Sequence, residues 1–310
     1  MKTTVPTRLS AVIVLAAPCA MNAPAQVFDT VINLPGDPVF GDSLPDNTTL
    51  GLPLGTTIQL NVADGGSVGN GLAALAGTQT NISGGTVGDG FAANVGSEVN
   101  ISGGTVGSSF DANGGLVNIS GAAQVGDGFD VFFDSVVNIS GAAQVGDDFD
   151  ANVGSEVNIS DAAQVGSDFR ALNGSEVNVS GGSVGDGFSA LFGSVVNISG
   201  GSVGDAFMAS FSSTVNLSGS GFLLDGVSLE PQLTLNEAFT LTDRGGAVLS
   251  GTLADGTAFD FVLNELFIGG QDQFDAEATL TLTLVPEPGA LSLLALGGVG
   301  LLTRRRMGGA

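Results

Sequence analysis

The chain contains no histidine, no tryptophan and no tyrosine, and its one cysteine (Cys19) and one lysine (Lys2) both lie near the N-terminus. Serine–histidine and cysteine–histidine nucleophiles therefore lack a partner. The imidazole and thiolate ligands of most zinc sites are also missing. Proline is scarce at 10 residues, which excludes a collagen-like or proline-rich chain. Positive charge is scarcer still. Between Gln26 and Val285 only Arg170 and Arg244 face thirty acids, leaving a charge of −28. Such a surface repels nucleic acid and anionic lipid, so its electrostatic partners are cations.

What is abundant is glycine, 50 of 310 residues, together with 43% hydrophobic residues. The apolar content is too high for a disordered chain. Glycine at this density excludes long helices, because each one costs about 1 kcal/mol inside a helix. Short strands joined by tight turns remain.

A repeat organises the chain. Asparagine recurs at Asn61, Asn81, Asn100, Asn118, Asn138, Asn158, Asn178, Asn197 and Asn216, at intervals of 18 to 20 residues. The best-formed unit reads V-N-I-S-G-G-T-V-G-D-G-F-x-A-x-x-G-S. Three units carry Ala-Ala-Gln, ending at Gln124, Gln144 and Gln164, and are one residue longer. Leucine-rich repeats would need leucines that the units lack. The pattern predicts an all-β, right-handed parallel β-solenoid of about eight to nine coils. In one coil Val99, Ile101, Val106, Phe110 and Ala112 point inward. Ile82, Val87, Phe91 and Ala93 do so in another, and Val179, Val184, Phe188 and Ala190 in a third. One coil cannot bury such a face alone, so stability comes from the stack.

The asparagines sit between inward-facing residues, where Asn is disfavoured by strand propensity. Stacking supplies the reason. Identical amides one above another both donate and accept, forming a ladder. Asn81, Asn100, Asn118, Asn138, Asn158, Asn178, Asn197 and Asn216 are its expected members, with Asn61 before them. All but Asn61 also satisfy the N-x-S glycosylation pattern. Asn61, followed by Val62-Ala63, keeps the ladder position without the sequon, which favours a ladder over glycan sites.

A second recurrent position reads Asn70, Asp89, Ser108, Asp127, Asp147, Ser167, Asp186 and Asp205, beside glycines. Asp and Asn suit sharp corners because they bond nearby backbone. The stretch Gly84 to Phe91 also resembles the RTX calcium nonapeptide, in its opening glycine pair, its Asp89 and its Phe91. It departs in Val87-Gly88, in its single occurrence per coil, and in the serines at 108 and 167. No metal site or cofactor is expected. The acids recur with the repeat rather than gathering in a cleft, so no catalytic residues and no enzyme activity are expected either. Ice-binding solenoids would need ranks of Thr-x-Thr that these coils lack.

The ends differ from the middle. Lys2 and Arg8, an apolar run from Leu9 to Ala17, and Ala23-Pro24-Ala25 before Gln26 predict a secretory signal over residues 1–25. Cys19 follows Pro18, where a lipoprotein signal wants a small residue. Its removal with the signal leaves no disulfide. Residues 26–56 read as an N-terminal cap and 57–220 as the solenoid. Residues 221–284, with period-two alternation and a hairpin signal at Asp255-Gly256, read as a small antiparallel β cap.

Residues 285–310 carry the most specific signal. Pro286-Glu287-Pro288 is followed by an uncharged run from Gly289 to Thr303 and then Arg304-Arg305-Arg306. Fifteen helical residues would reach about 22 Å, short of a ~30 Å hydrocarbon core, with the arginines on the cytoplasmic side. This resembles the PEP-CTERM sorting signal of Gram-negative bacteria. The resemblance implies an exosortase, a membrane transpeptidase, as partner, transient membrane insertion of the tail, and release to the cell surface or an extracellular polysaccharide matrix. A permanently anchored tail is the alternative. The expectation is thus an exported structural or adhesive repeat protein. A polysaccharide-binding or polysaccharide-cleaving β-helix is the first alternative and a calcium-stiffened repeat protein the second. An exposed aromatic stripe would favour sugar binding, and the phenylalanines are expected to face inward.

Overall fold

The computed structural model describes residues 26–51, 56–242 and 244–286. It is an all-β parallel solenoid of about nine turns, followed by a few C-terminal strands. Each regular coil has three faces. In one coil these are Glu98–Ile101, Thr105–Val106 and Asp111–Asn113. Every face pairs in parallel with the coils above and below, and identical residues stand in register: Val99 meets Val117, Asn100 meets Asn118 and Ile101 meets Ile119.

Alternation sends the apolar residues inward. Val99, Ile101, Phe110 and Ala112 are fully buried, and Val106 nearly so. The corresponding residues of the coils at Ile82 and Val179 are buried as well. The extra residue of the longer coils is an alanine at a corner, and Ala123, Ala143 and Ala163 turn into the core. Down the centre runs a column of phenyl rings: Phe91, Phe110, Phe129, Phe149, Phe169, Phe188 and Phe207. Successive centroids lie 4.6 to 5.1 Å apart and the planes are near parallel. Ring spacing thus follows strand spacing. Such pairs contribute about 0.5–1.5 kcal/mol each beyond their burial.

The stack starts earlier than the asparagine repeat indicates. Thr30–Leu34 pairs in parallel with Ile58–Val62, and Ser43–Leu44 and Thr49–Leu50 take the other two faces. Residues 30–50 therefore form a coil, hidden in the sequence by an interval of 28 residues between Asn33 and Asn61.

The C-terminal strands do two things. Val248–Leu253 and Ala258–Val262 make an antiparallel hairpin turning at Asp255-Gly256, and Val248–Leu253 pairs antiparallel with the long strand Thr214–Leu224. Thr279–Leu284, by contrast, lies parallel on Thr214–Leu224 and adds a further rung to the solenoid. Leu280 and Leu282 continue its core. Ala238–Thr240 covers the other edge of that rung in antiparallel fashion. Covering Thr279–Leu284 this way shields the last rung from pairing with another sheet.

Candidate functional site

The asparagines build one continuous ladder. Nδ2 of Asn61 donates to Oδ1 of Asn33. The same bond then repeats through Asn81, Asn100, Asn118, Asn138, Asn158, Asn178, Asn197 and Asn216, at 2.7 to 3.1 Å. All bonds point the same way. Thr281 closes the top by donating its hydroxyl to Asn216 Oδ1. In five coils the amide also finds a second acceptor: Asn100 on Glu98, Asn158 on Glu156 and Asn197 on Glu176, each at 2.9 Å, and at longer range Asn61 on Gln59 and Asn81 on Gln79, at 3.4 and 3.3 Å. The amides lie half-buried on the outer side of the sheet. Asn33 and Thr281 are the members that sequence spacing misses. For Thr281 the signal was present, since Leu280-Thr281-Leu282 repeats the alternation of Val215-Asn216-Leu217.

The Asp-and-Asn corner is a second ladder of a different kind. Oδ1 of Asn70 accepts the backbone N–H of Asp89, Asp89 that of Ser108, Asp127 that of Asp147, Asp147 that of Ser167 and Asp186 that of Asp205, at 2.7 to 3.0 Å. Asp46 starts it by accepting from Asn70. The glycine before each corner is required by the close approach of the coil below, through its backbone as well as through this oxygen. A β-carbon on Gly88, Gly107, Gly146, Gly166 or Gly204 would lie under 3.0 Å from the accepting oxygen of the coil below. Hence the repeated Gly-Asp: glycine clears the space, aspartate bridges it.

The third corner carries an exposed apolar ridge. The turns centred on Phe133-Asp134, Val153-Gly154, Asn173-Gly174, Phe192-Gly193 and Phe211-Ser212 have positive φ at both central residues. Each is closed by a backbone bond, as from Ser135 N–H to Phe132 C=O at 3.2 Å. This is the type I′ pattern, for which Asn-Gly is the low-strain solution, and Asn173-Gly174 adopts it. The other four put a bulky or β-branched residue at a φ of 36 to 54°, a conformation that costs on the order of 1–3 kcal/mol. Those side chains are not buried in exchange: Phe133 is 61% exposed, Val153 47%, Phe192 51% and Phe211 51%. The rings of Phe192 and Phe211 stack with centroids 4.8 Å apart. Three phenylalanines of the repeat region therefore face solvent, as do Phe40 and Phe267 outside it, correcting the expectation that the phenylalanines follow the inward period. The left-handed turn throws only its own residues outward: Ala190 before it and Ser194 and Val196 after it keep the same inward parity, and Phe192 between them does not.

Beside the ridge, on the third face, Asp111, Asp130, Asp150 and Arg170 stand in register. Arg170 grips Asp150 through Nε and Nη2 at 2.6 and 2.5 Å. Burial pushes the Asp111 and Asp130 carboxyls above their ordinary value, and at Asp130 the charges of Asp150 and Asp111 add to it while Arg170 opposes. Where solenoid meets cap, a cleft of about 350 Å³ is lined by Asp205, Phe259, Asp260 and Asp272. Asp272 accepts from the N–H groups of Phe207 and Val262 at 2.9 and 3.0 Å, tying the two parts together. Burial pushes its carboxyl up, the two N–H groups pull it down, and Asp205 and Asp260 add to the rise. Asp255 makes a similar tie, accepting from Gly201 N–H at 2.7 Å. Among the described residues no group of three or more acidic side chains is arranged to hold a metal ion.

The described residues end at Pro286. Val285 N–H donates to Gly219 C=O at 2.8 Å, so the strand register runs up to the first proline of the motif. Glu287, Pro288, Arg304, Arg305 and Arg306 lie outside the described residues, as do the signal at 1–25 and the apolar run from Gly289 to Thr303.

Residues 284–306 match the PEP-CTERM protein-sorting motif. The motif implies an exported protein, sorted by an exosortase to the cell surface or beyond it. No curated protein and no solved structure matches the chain. Among the described residues no helix is long and apolar enough to cross a membrane. The sorting motif thus joins a solenoid whose repeated side chains are explained by the stack itself. The corner ridge, by contrast, is not explained by the stack.

Proposed function

We propose that this chain is a surface or matrix rod with a structural and adhesive role and no chemistry of its own, and that its contact edge is the ridge of Phe133, Val153, Phe192 and Phe211. The observation that carries this reading is the pairing of strain with exposure. Large apolar side chains occupy left-handed turn positions where asparagine would be both less strained and more soluble. Four consecutive steps of ~4.8 Å give a ridge of about 19 Å, on a body that elsewhere carries high negative charge. Exposed apolar patches on soluble proteins mark contact sites. The tail inserts in the membrane while the motif is processed, and the rod then stands at the surface.

The exposed Phe192–Phe211 pair favours matrix polysaccharide as the contacted material, since it offers an apolar aromatic strip against which the C–H groups of a sugar can pack. Exported wild-type protein and the Phe192→Asn/Phe211→Asn variant are to be compared for retention on the producing cells' own matrix. The variant is expected to wash off while the rod stays folded; equal retention would sink the adhesive reading. Removing the segment from Pro286 onward tests sorting: the shortened chain should fail to reach the surface.

A further inference from the structure

The sorting motif has no spacer. Thr279–Leu284 is bonded along both edges, to Thr214–Leu224 on one side and Ala238–Thr240 on the other. Leu284 C=O accepts from Asn236 N–H at 2.9 Å, and Val285 N–H is taken by Gly219. Leu280 and Leu282 are fully buried, and Thr281 closes the asparagine ladder. The next residue is Pro286. A peptide taken up in extended form is held by main-chain bonds along a free edge, which would include the residues flanking this motif. Here those flanking residues offer no free edge, and one residue extends at most about 3.6 Å. The body of the rod therefore abuts any enzyme that takes Pro286-Glu287-Pro288.

We propose that Thr279–Leu284 is a gate on sorting: the enzyme acts on the motif only while this strand is out of the sheet, and docking of the strand as the last rung shuts processing off. The inference rests on the motif being processed, as the sorting reading holds. It gives the strand two successive roles. Undocked, it presents the motif. Docked, it caps the ladder and commits the finished rod to its position. The order matters because a rod that closes first keeps its tail.

Three full-length chains in a host that carries the sorting enzyme test this. The first is wild type. The second carries an eight-residue Gly-Ser insert between Val285 and Pro286. The third carries Ser218→Cys and Thr283→Cys, which face each other across the parallel pair and lie within disulfide reach; no other cysteine follows residue 25. The insert is expected to speed conversion to the processed form at least tenfold. The disulfide is expected to stop conversion until a reductant is added, and adding the insert to the locked chain should restore it. Equal rates for wild type, insert and oxidised locked chain overturn the gate while leaving sorting intact. If even the insert-bearing chain is never processed, the sorting reading itself fails, and the gate with it. Retained resistance of the locked chain to protease guards against a misfolded variant.

Discussion

Gly146 lies where its own β-carbon would overlap Oδ1 of Asp127 in the coil below. That same oxygen accepts the N–H of Asp147 at 3.0 Å. Close approach, rather than backbone conformation, fixes the glycine here, because Gly146 does not have a positive φ. Gly146→Ala should therefore destabilise the rod by about 2–3 kcal/mol, through overpacking and loss of that bond. Asp127→Ala removes the nearest obstacle and the bond, while the backbone N of Asp127 and C of Gly126 stay 2.8 and 2.9 Å from that β-carbon. In a double-mutant cycle followed by urea unfolding, the pair should cost clearly less than the sum of the singles. Strict additivity would refute the link.

The asparagine ladder makes a separate prediction. Asn138 donates to Asn118 at 2.8 Å and accepts from Asn158 at 3.0 Å. Asn138→Ala should destabilise by about 1–2 kcal/mol, since two amide bonds go and two half-buried partners are left unpaired. Ser140→Ala abolishes the sequon while leaving the ladder whole, and should change the unfolding midpoint little. Equal effects of the two would mean that the repeat is kept for the sequon.

The ridge predicts a stabilising substitution. Asparagine adopts positive φ readily, so Phe192→Asn and Val153→Asn should each raise stability by about 1 kcal/mol, seen as a higher Tm. If the folded rod is weakened instead, the phenyl groups hold it together and their exposure has a structural reason.

Stability should depend on pH with a maximum on the acid side of neutrality. Asp111, Asp130 and Asp272 have carboxyls raised chiefly by burial. The folded state then binds protons more readily than the unfolded one, so stability falls as pH rises through that window. Asp37 and Asp29 are held low by backbone N–H groups, of Val39 and Phe40 for the first and Thr57 for the second. At Asp255 burial works upward, but the donors of Gly201 and Thr257 outweigh it. For these three the folded state binds protons less readily, and stability is lost as pH falls below the ordinary carboxylate value of 3.8. A Tm series from neutral to strongly acid pH should rise and then fall; a steady fall on acidification would contradict the assignment.

Much of the rod could be read from the sequence because stacking forces identical residues into register. A constant interval put Asn81 to Asn216 on one line, and alternation put Val99, Ile101, Phe110 and Ala112 inside. What escaped did so for physical reasons. The coil of Asn33 is masked by a longer connection to Asn61. Thr281 joins the ladder with a hydroxyl in place of an amide. The corner aspartates suit bonds to nearby backbone, but that the N–H groups belong to the next coil is set by the stack and not by local sequence. Phe133, Phe192 and Phe211 look like core residues to any rule that counts parity, and only the positive φ of their turns shows them facing out.

The uniform direction of the amide bonds has one more consequence. In a parallel sheet the backbone bonds between coils alternate in direction and their dipoles largely cancel. The asparagine column does not alternate. Each NH₂ points toward the Asn33 end and each carbonyl oxygen toward Thr281. If each amide carries about the 3.5 D of a peptide unit, the ten asparagines add along the long axis. The rod is electrically polar, with its positive pole at the base and its negative pole beneath the sorting motif, so its two ends are distinct to whatever meets them in solution.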